Sequence, residues 1–335
     1  MKEKTVKISI VIPAYNTGLL LSDAIRSVFD AGLIDFEVII IDDGSIDGTA
    51  DIADDLCRSY CDVVCIHQNN HGVSGARNAG INIARGEYIM FFDADDSVDP
   101  GALAPCNQIL KDNNPDVLMF GMSFDYYYHG KLYRREYLRS ETDGCYNRND
   151  WMTLRQSLFK CNYLSPAWNK FFRRDIILKY DIRFSEKMHV MEDFDFTVRY
   201  MEHTEMIYIY PEVIYRYRLS EDEKKSAKRL KSIQSLVDYM SLFPELSKEW
   251  QPIMTSVYFM LLRQKVSCSG IRELAAIAED NSRSPYLPKN KPDKSLYREL
   301  KEKRYLKIYL RNVLSHIRHK IAVIVKYYKS NKSYS

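Results

Sequence analysis

Acidic side chains gather directly after two apolar segments of the chain, where carboxylates could do chemistry. Asp42 and Asp43 follow one apolar run, and Asp93, Asp95 and Asp96 follow another. Carboxylate oxygens are the protein ligands that hard divalent cations such as Mg²⁺ and Mn²⁺ prefer. A solvated surface turn is the alternative for each cluster, because aspartate and glycine are common in turns. The second cluster follows a strand-like segment that ends in two phenylalanines, which favours a binding site.

A further acidic pair, Glu192-Asp193, lies much later in the chain and heads a segment with helical periodicity. A carboxylate held in such a place can accept a proton from a hydroxyl group and so act as a general base. The structural alternative is an acidic first helical turn, which the helix dipole stabilises. The two interpretations are compatible, since one residue can stabilise a helix terminus and still face a substrate.

Apolar runs alternate with helical patterns through the first part of the chain. The second run (FEVIII) is almost entirely apolar, as in strands covered on both faces. A βαβαβαβ order predicts a mostly parallel sheet with helices on both sides, and ligands bind such sheets outside the carboxyl ends of the strands. The predicted strands are 7–13, 36–41, 63–67 and 88–92, and the predicted helices are 19–29, 49–60 and 74–85.

Every predicted strand in this part is followed by a polar loop. Each loop alone has an ordinary structural explanation; Ser74, for example, could simply cap the third helix. Polar loops at the carboxyl ends of successive parallel strands, however, meet at one edge of the sheet and together predict one ligand site. The loops are Pro13-Ala14-Tyr15-Asn16, Asp42-Asp43-Gly44-Ser45, the segment 69–78 and Asp93-Ala94-Asp95-Asp96.

These loops resemble those of family 2 of the inverting glycosyltransferases, which have the GT-A fold. The resemblance runs continuously over residues 8–100, through SIVIPAYN, VIIIDDGSIDGT and NNHGVSGARNAGINIARGEYIMFFDADD, with no departure in the four loops. It implies an α/β fold of the GT-A class, in which a Rossmann-like, mostly parallel nucleotide-binding sheet merges with a smaller acceptor half.

The resemblance also implies a domain organisation. We expect a GT-A catalytic domain over 1–225, with the nucleotide-sugar half at 1–100 and the acceptor half at 101–225. Helical patterns beyond it predict an α-helical C-terminal extension over 226–335 that ends in a basic amphipathic helix.

A nucleoside-diphosphate sugar donor, usually UDP-linked, and a divalent Mn²⁺ or Mg²⁺ ion follow from the same resemblance. Such a cation stabilises the negative charge that develops on a departing diphosphate. The resemblance implies that Asp95 binds the metal and Asp93 reaches the ribose, with Asp93 also a candidate ligand and Asp96 a ligand or its neighbour. It implies that Asp43, or less directly Asp42, accepts the uracil imide proton. The other implied nucleotide-sugar contacts are Pro13, Ala14 and Tyr15 around the base, Asn69 and Arg77 steadying the nucleotide, and Asn16, Gly72 and Ala94.

The family places its catalytic base in a Glu-Asp pair, here Glu192-Asp193. An inverting transfer needs one carboxylate to take the acceptor hydroxyl proton as that oxygen attacks the anomeric carbon opposite the leaving group. Asp193 is the predicted base, and Glu192 an acceptor contact or orienting neighbour. Trp168 and Lys170 lie in a segment typical of bacterial polysaccharide transferases of this family. Trp168 either stacks on a sugar or belongs to the core, and Lys170 either faces the diphosphate or is structural.

The net charge of +3 hides an asymmetry along the chain. From residue 289 onward there are 14 Lys/Arg and 3 Asp/Glu, a balance of +11, so the preceding residues carry −8. Residues 297–329 combine positive charge with an apolar helical stripe, the pattern of a helix lying on an anionic membrane surface. The alternative is a helix that packs on the catalytic domain or on a second copy in a homo-oligomer. We expect no nucleic-acid partner, because no base-reading motif accompanies the charge.

The apolar runs and the cysteines of the sequence indicate where in the cell the protein is expected. We expect no secretory signal and no membrane-spanning segment, since no apolar run reaches the ~18 residues that a bilayer requires. The seven cysteines form no Cys-x-x-Cys pair and are expected to be reduced thiols. These features predict a cytoplasmic protein that is peripheral on the inner face of the plasma membrane.

The predicted function is transfer of a hexosyl or N-acetylhexosaminyl group from a UDP-sugar to a hydroxyl of a bacterial surface polysaccharide or its lipid-linked precursor. One alternative is a soluble polymer or glycoprotein glycan as acceptor, with the C-terminal region forming an oligomer. Another is a non-catalytic sugar-nucleotide-binding subunit of a synthase complex. The presence of both acidic clusters argues against that last alternative, since a protein that only binds has no need of a base.

Overall fold

The computed structural model describes residues 7–188 and 191–220. The chain divides into two compact units, the first of Met1–Tyr127 with Arg134–Ser220 and the second of Tyr128–Tyr133 with Glu221–Ser335. The helical extension expected at 226–335, including the basic stretch 297–329, lies outside the described residues. Among the helices that are described, none has the length and apolar content to cross a bilayer.

The first half of the first unit has the predicted alternation of strands and helices. The β-branched and apolar runs form strands with buried residues on both faces, and the amphipathic patterns form helices that cover them. The elements are β1 (Ile8–Ala14), α1 (Leu20–Asp30), β2 (Phe36–Asp42), α2 (Thr49–Ser59), β3 (Val63–His67), α3 (Gly72–Ile83) and β4 (Tyr88–Phe91).

The second half is less regular. It contributes long strands, three short antiparallel strands and the helix that begins at the Glu-Asp pair. Its elements are β5 (Ser97–Val98), α4 (Ala104–Asn113), β6 (Val117–Tyr128), β7 (Lys131–Leu138), β8 (Gly144–Asn147), α5 (Arg148–Lys160), β9 (Lys170–Arg173), α6 (Arg174–Lys179), α7 (Glu192–Met201) and β10 (Met206–Ser220).

All strands belong to one mixed sheet of order β3-β2-β1-β4-β9-β6-β10-β5, with β7 beside β6 and β8 beside β10. The strands β3, β2, β1 and β4 are parallel, and so are β6 and β10. Between these two parallel groups, β9 pairs antiparallel with both β4 and β6. The strands β4, β6 and β10 therefore run in the same direction, and their carboxyl ends emerge at one edge of the sheet.

A cluster of aromatic rings docks α7 onto the centre of the sheet. Phe196 of α7 meets Phe91 of β4 edge to face at 5.5 Å between ring centroids, and Phe172 of β9 at 5.4 Å. Phe184, in the segment before α7, stacks on Phe196 at 4.1 Å. Each such aromatic pair stabilises the folded state by ~0.5–1.5 kcal/mol, in addition to the stabilisation from the apolar surface that it buries. This packing sets the start of α7 beside the end of β4, where the acidic run begins.

Candidate functional site

The first two loops at the carboxyl edge are joined by hydrogen bonds. The Asp43 N–H donates to the Ala14 carbonyl oxygen at 2.8 Å, in continuation of the β1–β2 pairing. The Asn16 N–H donates to Ser45 Oγ at 3.0 Å, and the Ile46 N–H donates to Asn16 Oδ1 at 2.9 Å. Asn16 has a left-handed backbone, with φ of 52°, which asparagine tolerates better than most residues. Asn16 therefore stabilises the first two loops, which are predicted to bind the base, by hydrogen bonds between them.

Asp43 joins the second loop to the start of α3. Its buried carboxylate accepts hydrogen bonds from Gln68 Nε2 at 2.7 Å, from the His71 N–H at 2.9 Å and from the Gly72 N–H at 2.8 Å. A carboxylate offers about four lone-pair directions, so these three donors leave room for one more, such as an imide N–H. Gly72 adopts φ of 78°, which a glycine reaches without strain.

Asp42, the alternative to Asp43, is engaged within the protein. His67 Nδ1 lies 2.8 Å from its Oδ2, and the Ser45 N–H donates to its Oδ1 at 3.2 Å. Burial alone would raise the pKa of Asp42, but the hydrogen bonds from His67 and Ser45 outweigh it and lower that pKa. Asp42 therefore stabilises the loop in which Asp43 sits.

The other residues predicted around the base differ in exposure. Tyr15 is half exposed, and Asn69 is exposed at the same edge. Ala14 and Ala94 are almost completely buried in this structure.

The acidic run (residues 93–96) divides into members with different surroundings. Asp95 is exposed, whereas Asp96 is buried. The Asp96 carboxylate accepts from the Tyr215 hydroxyl at 2.7 Å and from the Arg218 N–H at 2.7 Å, so both of its oxygens are occupied. The Tyr215 hydroxyl in turn accepts from the Asp93 N–H at 3.0 Å. Asp96 and Tyr215 thus clamp the acidic run to β10, and Asp95 is left as the member open to a cation.

Arg77 connects the two acidic clusters. Its buried guanidinium donates to Asp93 Oδ1 at 2.9 Å through one terminal nitrogen and to Asp193 Oδ1 at 2.5 Å through the other. The second nitrogen also lies 3.6 Å from Glu192 Oε1. The guanidinium carbon lies 5.2 Å from the centre of the Phe184 ring, within range of a cation–π contact. Carboxylates that are far apart in the chain therefore meet at one buried cation.

The electrostatics of this cluster are dominated by negative charge. Burial raises the pKa of Asp93, and the nearby Asp193 and Asp95 carboxylates add to that rise while Arg77 opposes it. Burial also raises the pKa of Glu192, with Asp193 again adding to the rise. Three carboxylates around one guanidinium, with Asp95 close to Asp93, leave an excess of negative charge, which favours the approach of a cation.

The predicted base, Asp193, is held at both carboxylate oxygens. Arg77 binds Oδ1, and the Ala167 N–H donates to Oδ2 at 3.2 Å. Each oxygen therefore keeps a lone pair for a further donor. The neighbouring Trp168 is 5% exposed and stacks on Tyr215 and Tyr217, with ring centroids 4.3 and 5.1 Å apart.

Lys170 is fully buried. Its ammonium donates to the Pro166 carbonyl oxygen and to Asn169 Oδ1, the latter at 2.6 Å, and burial lowers its pKa well below the usual range. The sequence left a structural and a functional interpretation open for both residues, and in this structure both side chains lie in the interior. Neither side chain presents its functional group to solvent in this structure.

A cavity of about 210 Å³ adjoins Asp95 at the ends of β6 and β10. The Arg218 guanidinium in its wall lies 3.8 Å from the centre of the Tyr127 ring, a close cation–π contact. Across residues 7–188 and 191–220, no group of three or more His, Cys, Asp or Glu side chains is arranged to hold a metal ion by itself. The cavity is lined chiefly by Asp95, Asp96, Asp125, Tyr127, Arg216 and Arg218.

Residues 9–180, just over half of the chain, match the family model described as "Glycosyl transferase family 2". The chain belongs to glycosyl transferase family 2. The family expected from the sequence is thereby confirmed, and the match covers the four loops, the acidic run, Arg77, Trp168 and Lys170. It ends before the Glu192-Asp193 pair.

Two curated bacterial proteins are similar to this member of family 2. It is 31% identical over 222 residues to the uncharacterized glycosyltransferase YibD of Escherichia coli (strain K12), an alignment that covers 65% of this chain and 63% of YibD. It is 38% identical over 118 residues to the poly(ribitol-phosphate) beta-glucosyltransferase of Bacillus spizizenii, covering 34% of this chain and 19% of that relative. The chain thus matches less than two thirds of the length of either relative.

Solved structures share the fold. TarS 1–349 of S. aureus, solved with UDP-GlcNAc, superimposes with a TM-score of 0.59 at 18% identity, covering 90% of this chain and 92% of TarS 1–349. The mannosyltransferase PcManGT of Pyrobaculum calidifontis, solved with GDP-Man and Mn²⁺, gives a TM-score of 0.54 at 14% identity, covering 93% and 85%. The expected GT-A fold class is confirmed.

The amino-acid sequence alone did not reveal two structural roles. Arg77 was expected to steady a nucleotide, but its guanidinium also joins Asp93 to Asp193. Tyr215 was not singled out at all, although its hydroxyl holds the acidic run. An available signal was the run of tyrosines and arginines in β10, because a tyrosine that becomes buried needs a partner for its hydroxyl.

Proposed function

We propose that the chain is a metal-dependent, inverting glycosyltransferase. In this proposal it moves one sugar from a UDP-sugar to a hydroxyl of a bacterial surface polysaccharide or of its lipid-linked precursor. One observation carries the proposal: the Arg77 guanidinium holds Asp93 of the acidic run at 2.9 Å and Asp193 of α7 at 2.5 Å. A carboxylate suited to the donor and one suited to the acceptor hydroxyl are thereby brought to one point.

The residues of the acidic run suit a divalent cation. Asp95 offers an exposed carboxylate beside the cavity, and hard cations of this kind take oxygen ligands and usually complete their shell with substrate phosphates. Asp95 would hold the metal, with Asp93 as the second candidate. When bound, the metal supplies positive charge against the negative charge of the departing diphosphate. Mn²⁺ in the structure of PcManGT, a protein of the same fold, supports this part of the proposal.

Asp193 then removes the proton from the acceptor. Arg77 and the Ala167 N–H hold its carboxylate, so that a free lone pair can receive the hydroxyl proton as the acceptor oxygen bonds to the anomeric carbon. The bond from that carbon to the diphosphate oxygen breaks on the opposite face, and its electrons leave with the UDP. Attack opposite the leaving group inverts the anomeric centre. Glu192 lies beside Asp193 as an orienting neighbour.

The substrate class rests on two supports. Asp43 has room for one more donor at the place proposed for the uracil ring, and TarS, which shares the fold, binds UDP-GlcNAc. The relative named for glucosyl transfer to poly(ribitol-phosphate) supports a polymeric acceptor. A cytoplasmic location, peripheral on the inner face of the plasma membrane through 297–329, and a homo-oligomer through the same region remain predictions.

The proposed function is tested by release of UDP from UDP-glucose, UDP-galactose and their N-acetylated forms, with Mn²⁺ or Mg²⁺ present. We expect one donor to give UDP at a rate that EDTA abolishes and added Mn²⁺ restores. GDP-mannose is the control donor, because a site built for uracil should leave it unused. Faster release of GDP than of UDP, or release that EDTA does not change, would contradict the proposal.

Asp95→Asn is expected to lower the metal-dependent kcat about 100-fold, because an amide is a weaker ligand for a hard cation and carries no charge. Titrating Mn²⁺ into the variant should show a raised metal concentration at half-maximal rate. Asp23→Asn is the matched control: it removes one carboxylate from the wall of the same cavity, and its rate should change less than about twofold. Equal losses in both variants would point to a general effect of charge.

A further inference from the structure

The peptide group between Pro166 and Ala167 is hydrogen-bonded at both of its ends, to Lys170 on one side and to Asp193 on the other. Its carbonyl oxygen accepts from the Lys170 ammonium, and its N–H donates to Asp193 Oδ2 at 3.2 Å. No cis peptide bond occurs among the described residues, so this peptide is trans and its C=O and N–H point in opposite directions. Lys170 therefore donates at the negative end of the peptide dipole and Asp193 accepts at its positive end, so each hydrogen bond polarises the peptide in the sense that strengthens the other.

Lys170 is a rigid anchor for this peptide. It begins β9, where it pairs with Met119 near the centre of the sheet. The preceding Asn169 exchanges hydrogen bonds with the backbone of Phe120, each 3.1 Å long, and its Oδ1 accepts from the Lys170 ammonium at 2.6 Å. The position of the Lys170 nitrogen is therefore set by the sheet and not by the loop that carries Ala167.

The surroundings of Lys170 are unusual for a structural lysine. Burying an ammonium is costly unless a carboxylate pairs with it, and within the described part of the chain Lys170 forms no ion pair. Both of its partners are neutral oxygens. Asp193 is the carboxylate that influences Lys170, because its negative charge opposes the fall in the Lys170 pKa that burial causes. An amine and an ammonium both donate N–H, so the contact to Pro166 holds in either form.

We propose that Lys170 is a positioning residue for Asp193, acting through the Pro166–Ala167 peptide. Lys170 binds the carbonyl oxygen, which prevents this peptide from rotating, and the Ala167 N–H therefore stays aimed at Asp193 Oδ2. The Asp193 carboxylate is then held between Arg77 and Ala167, with its free lone pairs directed at the acceptor side. This inference rests on the proposed function, in which Asp193 is the base.

Lys170→Met tests the inference, because methionine fills similar volume without donating a hydrogen bond. We expect kcat for sugar transfer to fall about 10- to 100-fold, since misplacing a catalytic group by about 1 Å has an effect of that size. The donor KM and the Kd for UDP should stay within twofold of the wild-type values. Lys170→Gln, which keeps a donor, should lose less activity than Lys170→Met.

Thr197→Val is the matched control. It also replaces a fully buried polar group by an apolar one, in the same helix as Asp193, but its hydroxyl has no hydrogen-bond partner in the described structure. Its kcat should be unchanged. An unchanged kcat in Lys170→Met, or an equal loss in Thr197→Val, would overturn the inference, and so would a loss confined to donor KM.

A second pair of variants changes the Ala167 N–H directly, and it keeps the inference testable if Lys170→Met does not fold. Ala167→Pro removes the N–H that donates to Asp193, whereas Ala167→Gly keeps that N–H. We expect kcat to fall in the proline variant by a factor similar to that for Lys170, and the glycine variant to keep most of its activity. Equal activity in the two Ala167 variants would overturn the inference. Failure of the proposed function looks different, because the wild-type protein itself would then transfer no sugar.

Discussion

Asp193→Asn is expected to lower the kcat for sugar transfer by at least about 1,000-fold, the upper range for loss of a general base. Asparagine has nearly the same shape, but its amide does not take up a proton at neutral pH. It can still accept from Arg77 through its oxygen, although its NH₂ group then faces the Ala167 N–H. UDP binding, measured by calorimetry with Mn²⁺, should stay within about twofold, because the predicted nucleotide contacts lie in other loops.

Asp195→Asn is the control for that experiment. Asp195 lies on the same turn of α7 and binds Arg199 at 3.0 Å, away from Arg77. The same substitution there should change kcat less than about threefold, as expected for loss of an intrahelical ion pair. If Asp193→Asn kept full turnover, the Glu192-Asp193 pair would be an acidic helix start and nothing more.

Arg77→Met is expected to have the second largest effect, on stability as well as on activity. It leaves Asp93, Glu192 and Asp193 close together without the buried cation that binds them. Removing one partner from a buried ion-pair network typically lowers the free energy of unfolding by about 3 kcal/mol or more. Transfer should fall about 100-fold or more, because Asp193 loses the donor at Oδ1. Urea denaturation and initial-rate measurements on the same preparation check the two effects.

Two comparison variants separate charge from geometry at Arg77. Arg77→Lys keeps the positive charge but has no forked donor to bind two carboxylates at once, so we expect intermediate losses. Arg85→Met removes an arginine that binds the buried Glu37 elsewhere in the sheet, and its transfer rate should equal that of the wild type. If Arg77→Met were as stable as the wild-type protein, Arg77 would not be the counter-ion of the cluster.

The nucleotide half was predictable because its signals are local. Each apolar run, each amphipathic stripe and each polar loop can be recognised from a few consecutive residues. Parallel pairing of the strands then brings the loops to one edge of the sheet in any strand order. Asp43 and Asp95 accordingly lie at the predicted edge. The assignment of Asp193 needed the family resemblance as well, because an acidic helix start alone fits both interpretations.

What escaped prediction depends on contacts between distant parts of the chain. Nothing local in KFFR indicates that β9 enters between β4 and β6. The bridge made by Arg77 exists only because α7 docks beside the end of β4, and the clamp between Asp96 and Tyr215 spans residues 119 apart. Trp168 and Lys170 have side chains that suit either a sugar site or a core, and their burial depends on packing that no local pattern shows.

The placement of β9 has a mechanical consequence. Because β9 pairs with both β4 and β6, the strands of the first half, which lead into the acidic run, and the strands of the second half belong to one continuous hydrogen-bonded sheet. Two lobes joined by a flexible linker can open and close about a hinge, but a sheet resists bending across its strands. In the proposed function, we therefore expect the gap between the acidic run and the start of α7 to stay nearly constant through a catalytic cycle. In that proposal, substrates would then enter and products leave through movement of the loops at the carboxyl edge, without a change in the spacing of the carboxylates.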